Sequence, residues 1–324
     1  MATTGPVTSD NVALSLLYRK RIAALDEYNT QFNLKSAICE SVWQDYIDVA
    51  QTAKTMKRAG SDSPPAPVEH VDSQTITLPD ITKYHVGGGV TQDSIKRGIT
   101  SKQVMDEHTT AVGADERLVN QILHKIMLTD GQWWDATVAP PRWANNAMAS
   151  SHDHYLAYNV AGVVALAHVA RAKRHITEHG PIGTLVALFN GDQIEKMEVQ
   201  AEWVSAAENK TPLLNDLQNA GFTPAFYTDG VWWVQDDYVP ASYGVVLNIT
   251  GQYKPVAWRY AVRPDDPNDR LIRYTGPETE QFFMQESYVR WGAAAVQMRG
   301  YGVAIYLGGG SWTDPTVSEW SDIP

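Results

Sequence analysis

Apolar residues recur every three or four positions in the first part of the chain. Leu14, Leu17, Tyr18, Ile22 and Leu25 share one helical face, with Asp10 placed to cap it. Leu34, Ile38, Val42, Tyr46, Val49, Ala53 and Met56 step the same way and predict a second helix, closed by Lys57, Arg58 and Gly60. Neither helix has an obvious partner nearby, so the two form a hairpin or an arm that docks on a neighbour. The prolines of SDSPPAPVEH (61–70) end this pattern. From Gln74 to Thr100 the period changes to two, at Thr75–Leu78 and again at Ile81–Val86, and Pro79 restricts the stretch to a sheet edge. Gly87, Gly88 and Gly89 then predict a tip or hinge, followed by a second weak strand carrying Lys96 and Arg97. Such a two-stranded ribbon is marginal in water and needs something to lie on.

Helical spacing returns from about Ala114, through Leu118, Val119, Ile122, Ile126 and Met127, with Asp115 and Glu116 in the first turn and Gly131 beyond the end. An irregular aromatic stretch runs to Leu156. A further helix is expected over Ala157–Glu178, its middle (VAGVVALAHVA) apolar all round and its end basic. Strands dominate from there: Thr184–Phe189, turned by Asn190-Gly191, then Val231–Val234, Val245–Thr250 and Val256–Val262, with a short helix at Pro212–Ala220. Phe282–Trp291 reads as a strand broken at Gly292. Tyr301, Val303, Ile305 and Leu307 line one face of a last strand and Gly302, Ala304 and Tyr306 the other, with Gly308–Gly310 ending it. Small residues on one face predict a helix packed there. The class is α+β.

Length and composition narrow the options. At 324 residues the chain suits about two lobes, and 44% hydrophobic residues supply a sizeable core. A net charge of −11 excludes a protein that coats nucleic acid through a basic surface. The one cysteine, Cys39, on a helix-like stretch, leaves no disulfide within the chain and fits a reducing compartment. The opening MATTGPVTSD has no basic region followed by an apolar core, and no apolar run approaches the ~20 residues of a membrane span. Eleven Trp and fifteen Tyr against six Phe favour wet interfaces, where an apolar ring with a polar tip is useful.

Candidate chemistry is sparse. His152-Asp153-His154 has two imidazoles two positions apart and is the best metal candidate, the basis of a metal-dependent hydrolase reading; no HExxH or CxxC stands nearby, and polar loop residues are the plainer account. Gly87–Gly89 lacks the Gly-Lys-Ser/Thr ending of a phosphate loop. Asp236-Asp237 beside Trp232-Trp233 has the parts of a carbohydrate site, but neighbours on a strand face opposite ways, so a strand end with solvated charges is the better reading. His168, within the apolar helix, reads as a satisfied core histidine. There is no GxSxG elbow and no nucleophile motif around Cys39.

Two stretches carry a resemblance: GVWWVQDDYVPASYGVVLNITGQYKPVAWRYAVRP (230–264) and ETEQFFMQESYVRWGAAAVQMRGYGVAIYLGG (278–309). Their succession is a strand, an acidic turn with Val-Pro, a small-and-apolar strand, a strand ending in arginine, a strand around Tyr288-Val289-Arg290 and a last apolar strand. It resembles the late half of tailed-bacteriophage major capsid proteins of the Hong Kong 97 phage type, a shell fold shared with encapsulins. The resemblance implies a helical N-terminal arm (1–66), an extended ribbon loop (67–100), a peripheral domain with a spine helix (101–156), an axial domain (157–262) and peripheral C-terminal strands (263–324).

The same resemblance implies a structural protein and no enzyme, without cofactor or bound metal. Many copies would assemble as hexamers and pentamers into an icosahedral virion shell around double-stranded DNA. Assembly would take place in the host bacterial cytoplasm, with a separate scaffolding protein, a portal and cement proteins, and no membrane. An encapsulin-like compartment is the alternative within that fold. The ribbon would lie on an adjacent subunit, making Lys83, Tyr84, His85, Gly87, Gly88, Gly89, Lys96 and Arg97 candidate subunit-interface residues. An acidic inner wall would repel packed phosphate without sequence-specific contact.

Overall fold

The computed structural model describes residues 6–31, 33–50, 73–131, 153–178, 182–199, 204–205, 215, 217–218, 222–250, 254–262, 268–295 and 301–321. In chain order the elements are α1 (Leu14–Thr30), α2 (Leu34–Ile38), β1 (Cys39–Val42), β2 (Tyr46–Ala50), β3 (Ser73–Thr77), β4 (Lys83–Thr91), α3 (Gln92–Lys96), α4 (Ser101–Met127) and β5 (Tyr155–Ala157). There follow α5 (Leu166–Thr177), β6 (Leu185–Phe189), α6 (Gly191–Glu198), β7 (Val204–Ser205), β8 (Thr223–Thr228), β9 (Val231–Gln235), β10 (Tyr243–Asn248) and β11 (Val256–Tyr260). The last are β12 (Ile272–Thr275), β13 (Phe282–Ala295), β14 (Gly302–Tyr306) and α7 (Val317–Ser321). Two compact units are each built from three chain segments. The first is Met1–Phe32, Asp80–Gln121 and Tyr260–Ala293; the second is Asn33–Pro79, Ile122–Arg259 and Ala294–Pro324.

In the first unit β13 pairs antiparallel with β4 on one side, Tyr288 opposite Val86, and with β12 on the other, Tyr288 opposite Arg273. Because strand side chains alternate, Glu286, Tyr288 and Arg290 share one face, and all three are buried. α1 turns Leu14, Leu17, Arg21 and Leu25 inward, and α4 buries Val104, His108, Ala111 and Asp115 at the same three-or-four spacing. Leu14, Leu17, Val90, Ile99 and Val104 form one apolar cluster, and Leu25, Ala111, Leu271 and Tyr288 another. Thr100 and Gln103 start α4 as a reciprocal cap: the Thr100 hydroxyl accepts the Gln103 N–H, and Gln103 Oε1 accepts the Thr100 N–H at 2.9 Å. Asp10 also serves α4, accepting the Ser101 N–H at 2.9 Å, whereas α1 opens on Ala13 with no side-chain cap.

The second unit holds a seven-stranded mixed sheet in the order β5-β14-β10-β6-β9-β8-β7. Its centre is apolar on both faces, so β6, β10 and the strand portion of β14 before Tyr306 are buried throughout. Val169, Ala172 and Ile176 of α5 pack with Tyr301, Val303, Ile305 and Leu307. β8 and β9 are joined by Asp229-Gly230, both at positive φ as a tight primed hairpin turn requires. Gly244 is needed where it stands, because a Cβ there would enter the Phe189 ring. In the same unit β1 pairs parallel with β11, Cys39 opposite Val256, and β2 pairs antiparallel with β3 as a sheet of two strands.

Several expectations are corrected. The second helix stops at Ile38, where Cys39 enters β1; Val42, Ile47 and Val49 are β-branched, and strand pairing overrides the helical spacing. Its expected end at Ala53–Gly60 lies outside the described residues. The ribbon over 74–100 is not one ribbon: β3 pairs with β2, β4 pairs with β13, and Lys96 lies in α3 with Arg97 as its C-cap. Gly87–Gly89 sit within β4 and not at a tip. α4 begins thirteen residues before Ala114 (114 − 101), so Asp115 is in its interior. α5 begins only at Leu166, because Ala161 and Gly162 take positive φ. Asn190 caps α6 and makes no simple turn, β13 runs through Gly292, and α5 covers the large-residue face of β14. Most of Pro212–Ala220 lies outside the described residues.

Candidate functional site

Seven of the eight candidate interface residues are fixed by β4 or by α3, in the first unit, and Arg97 follows directly. Lys83 is exposed, with its ammonium 4.6 Å from the centre of the Trp291 ring. Tyr84 is half-buried, beside a small cavity of about 230 Å³ shared with Leu118 and Tyr288. His85 and Lys96 are exposed, and Arg97 is paired with Asp93 at 2.8 Å. Gly87, Gly88, Gly89 and Arg97 come together on an open groove of about 970 Å³, with Asp106 and Glu107 of α4 on its wall. Lys83, His85 and Lys96 do not line that groove.

Behind this surface lies an ionic network. Arg21, fully buried, donates to Glu286 and to the carbonyl of Val104, and Arg273 also donates to Glu286. Four residues along β13, Arg290 forks onto Asp115 at 2.5 and 2.6 Å and reaches Asp269 at 3.2 Å. The Tyr28 hydroxyl donates to Asp115 at 2.8 Å. Between the two groups, Tyr288 donates to Glu286 at 3.2 Å and meets His108 Nδ1 at 2.8 Å, so that nitrogen carries the proton. Burial pushes the Tyr28 and Tyr288 phenols up, with Asp115 and Glu286 adding to it, and lowers His108; Tyr18 is pushed up to about 12 by burial and Glu286. The network ties α1, α4, β12 and β13 together. It is structural: its charges are already paired and hidden from solvent.

Sequence reasoning missed this network, although a signal existed. Arg21 stands inside the apolar stripe Leu14-Leu17-Arg21-Leu25, and Glu286 and Arg290 share a strand face with Tyr288. A charge at a core-facing position implies an opposite charge facing it.

The metal candidate is not assembled among the described residues. His152 lies outside them. Asp153 accepts the Tyr155 N–H at 2.8 Å, and His154 is fully buried with Nδ1 donating to the Gly302 carbonyl at 2.7 Å. No group of three metal-ligating side chains occurs among the described residues. Asp236 is not a solvated strand-end charge: it lies 2.7 Å from His124 Nε2 and accepts the Tyr238 N–H at 3.0 Å. Burial works against the Asp236 carboxylate, and His124 outweighs it, so its pKa falls. His168 accepts the Ala165 N–H at 3.1 Å through Nδ1 and stacks on Tyr158, a helix-capping role. Cys39 is buried in β1. No described helix is long and apolar enough to cross a membrane.

No protein-family model matches the chain, and no curated protein matches it by sequence. Solved structures do match its fold. A structure from Mycobacterium phage Patience is 19% identical, with a TM-score of 0.64, covering 97% of this chain and 93% of that one. The capsid of Ralstonia phage GP4 is 12% identical, with a TM-score of 0.55 over 89% of this chain and 91% of that one. The mature capsid of bacteriophage PhiM1 is 13% identical, with a TM-score of 0.50 over 85% and 87%. Coverage is extensive in both directions, and the chain has the shell fold of tailed-phage capsid proteins, the Hong Kong 97 type.

Proposed function

We propose that this chain is a major capsid protein. Many copies assemble as hexamers and pentamers into the icosahedral shell of a bacteriophage virion and enclose its double-stranded DNA. The observation that carries the reading is similarity over most of the chain to phage capsid structures, 89% of this chain against the GP4 capsid and 85% against the PhiM1 mature capsid, beside 97% against the structure from phage Patience. Fold alone does not fix function. Two features of the chain support the step. The β2–β3 pair is a sheet of two strands, marginal without a partner, and Trp43 and Tyr46 at its base are exposed. Among the described residues, His154 is fully buried on the Gly302 carbonyl and Asp236 is paired with His124, so both serve the packing of the second unit.

In this reading the β2–β3 pair is the extended loop that lies on a neighbouring subunit. The first unit corresponds to the peripheral domain and the second to the axial domain. Lys83, Tyr84, His85, Gly87–Gly89, Lys96 and Arg97 belong to the subunit-facing surface. The chain performs no catalysis, and a scaffolding protein, portal and cement proteins complete the particle in the host cytoplasm. The net charge of −11 suits a wall that must not bind packed DNA. Electron microscopy of the purified chain, expressed with its scaffolding partner, tests the reading: closed particles are expected. Dispersed single subunits under every assembly condition would refute it, and particles loaded with an enzyme in place of DNA would turn it toward a compartment.

A further inference from the structure

α1 hides one face and leaves the other bare. Leu14, Leu17, Arg21 and Leu25 turn inward. Arg19, Lys20, Ala23, Asp26 and Glu27 are exposed, and so is Leu16, at 48%. At 3.6 residues per turn, Leu16, Ala23 and Thr30 run down the middle of that outer face. Lys20 and Glu27 lie on one flank of this line, Arg19 and Asp26 on the other.

These charges are badly placed for a helix on its own. Both cations come in its first half and both anions in its second, against the macrodipole. Glu27 stands in the last turn, where no basic residue offsets it. Neither flank supplies an internal partner. Arg19 and Asp26 are seven positions apart, as are Lys20 and Glu27, which is about 10 Å along the axis. None of them has an opposite charge three or four positions away. An antiparallel copy of the same helix answers each of these defects. Centred on Ala23, the pair sets Lys20 against Glu27 on one flank and Arg19 against Asp26 on the other. Each match is made twice by the symmetry, Leu16 falls against Thr30, and the two dipoles oppose. Alanine at the crossing admits a close approach of the axes, about 8–10 Å. On a chain with a net charge of −11, this face is balanced and does not repel its own copy.

We propose that the outer face of α1 is a two-fold contact, on which α1 of a second copy lies antiparallel with its cations on the anions of the first. The inference rests on reading the chain as a shell subunit. The contact is isologous, since both copies present the same patch, so it joins two copies and stops. Head-to-tail contacts close rings; this one links a ring to its neighbour.

Ala23→Cys, mildly oxidised in assembled particles, tests the geometry, because Cys39 is buried. A disulfide joining two copies of the chain is expected on a non-reducing gel. Chains that stay single, or that join a different protein, would overturn the proposal. Charge tests the chemistry in the same background. Arg19→Glu with Lys20→Glu makes the face wholly acidic, and Asp26→Lys with Glu27→Lys makes it wholly basic. Each double variant alone should lose the cross-link roughly tenfold or more, and an equal mixture of the two should restore it between unlike chains. All these positions are exposed, so the unassembled subunits should melt within about 2 °C of the parent. A cross-link that persists in either double variant alone, or that fails to return in the mixture, would overturn the pairing while leaving the shell reading intact. Failure of the unsubstituted chain to form particles would instead strike the shell reading itself.

Discussion

Removing the Arg290 side chain tests whether the ionic network holds the first unit together. Arg290→Leu leaves Asp115 and Asp269, with side chains 3% and 8% exposed, facing each other without their shared cation. It deletes three charge-assisted hydrogen bonds, two of them the fork at 2.5 and 2.6 Å. Breaking a buried pair by removing one partner costs about 3–5 kcal/mol, because the remaining charge is stranded. Arg290→Lys keeps the charge and loses the fork, so it should cost less, about 1–2 kcal/mol. Replacing both partners, Arg290→Met with Asp115→Leu, should recover much of the loss, since an apolar pair of similar volume often substitutes for a buried ion pair. The readout is amide hydrogen exchange of α1, α4 and β13 in the unassembled subunit, where 3–5 kcal/mol appears as about a hundred- to several-thousand-fold faster exchange. A loss under about 1 kcal/mol would refute the idea that these charges are buried and mutually dependent.

Other consequences follow from single contacts. Gly244→Ala drives a methyl group into the Phe189 ring and should cost about 1–3 kcal/mol by chemical denaturation. Asp236 has its pKa lowered from 3.8 by His124, so its contribution is present above that ordinary value and is lost as pH falls through the lowered one; Asp236→Asn should flatten the acid limb of the stability profile. Asp10 is held at about 2 by the hydroxyl and N–H of Ser101, and an NMR titration should find it still charged at pH 3 while exposed aspartates are taking up protons. Elemental analysis of the purified chain should find no stoichiometric zinc, since His154 is buried with Nδ1 on Gly302; zinc lost on His152→Ala would restore the hydrolase reading.

What was legible in the sequence followed periodicity. α1, β6, β9, β10, β11 and β14 carry strong apolar patterns, and each forms close to its expected limits. Failures came where partners distant in the chain decide. Cys39–Ala50 has helical spacing, but β11 and β3 supply strand partners there. Gly87–Gly89 looks like a turn from composition, yet β13 pairs along the whole run and makes it strand. The interface candidates were chosen from a ribbon that does not form as expected, and four of them nonetheless meet on one groove. The ionic network was hidden because its members lie far apart in sequence, Arg21 from Glu286 and Asp115 from Arg290, and spacing cannot pair them.

The central claim is that the chain's business is association with copies of itself. Sedimentation velocity of the purified chain across protein concentration and salt measures that directly. The 35.9 kDa subunit should give way to a sharp boundary of closed particles many times that mass. A boundary that stays at the mass of one subunit under every condition would contradict it.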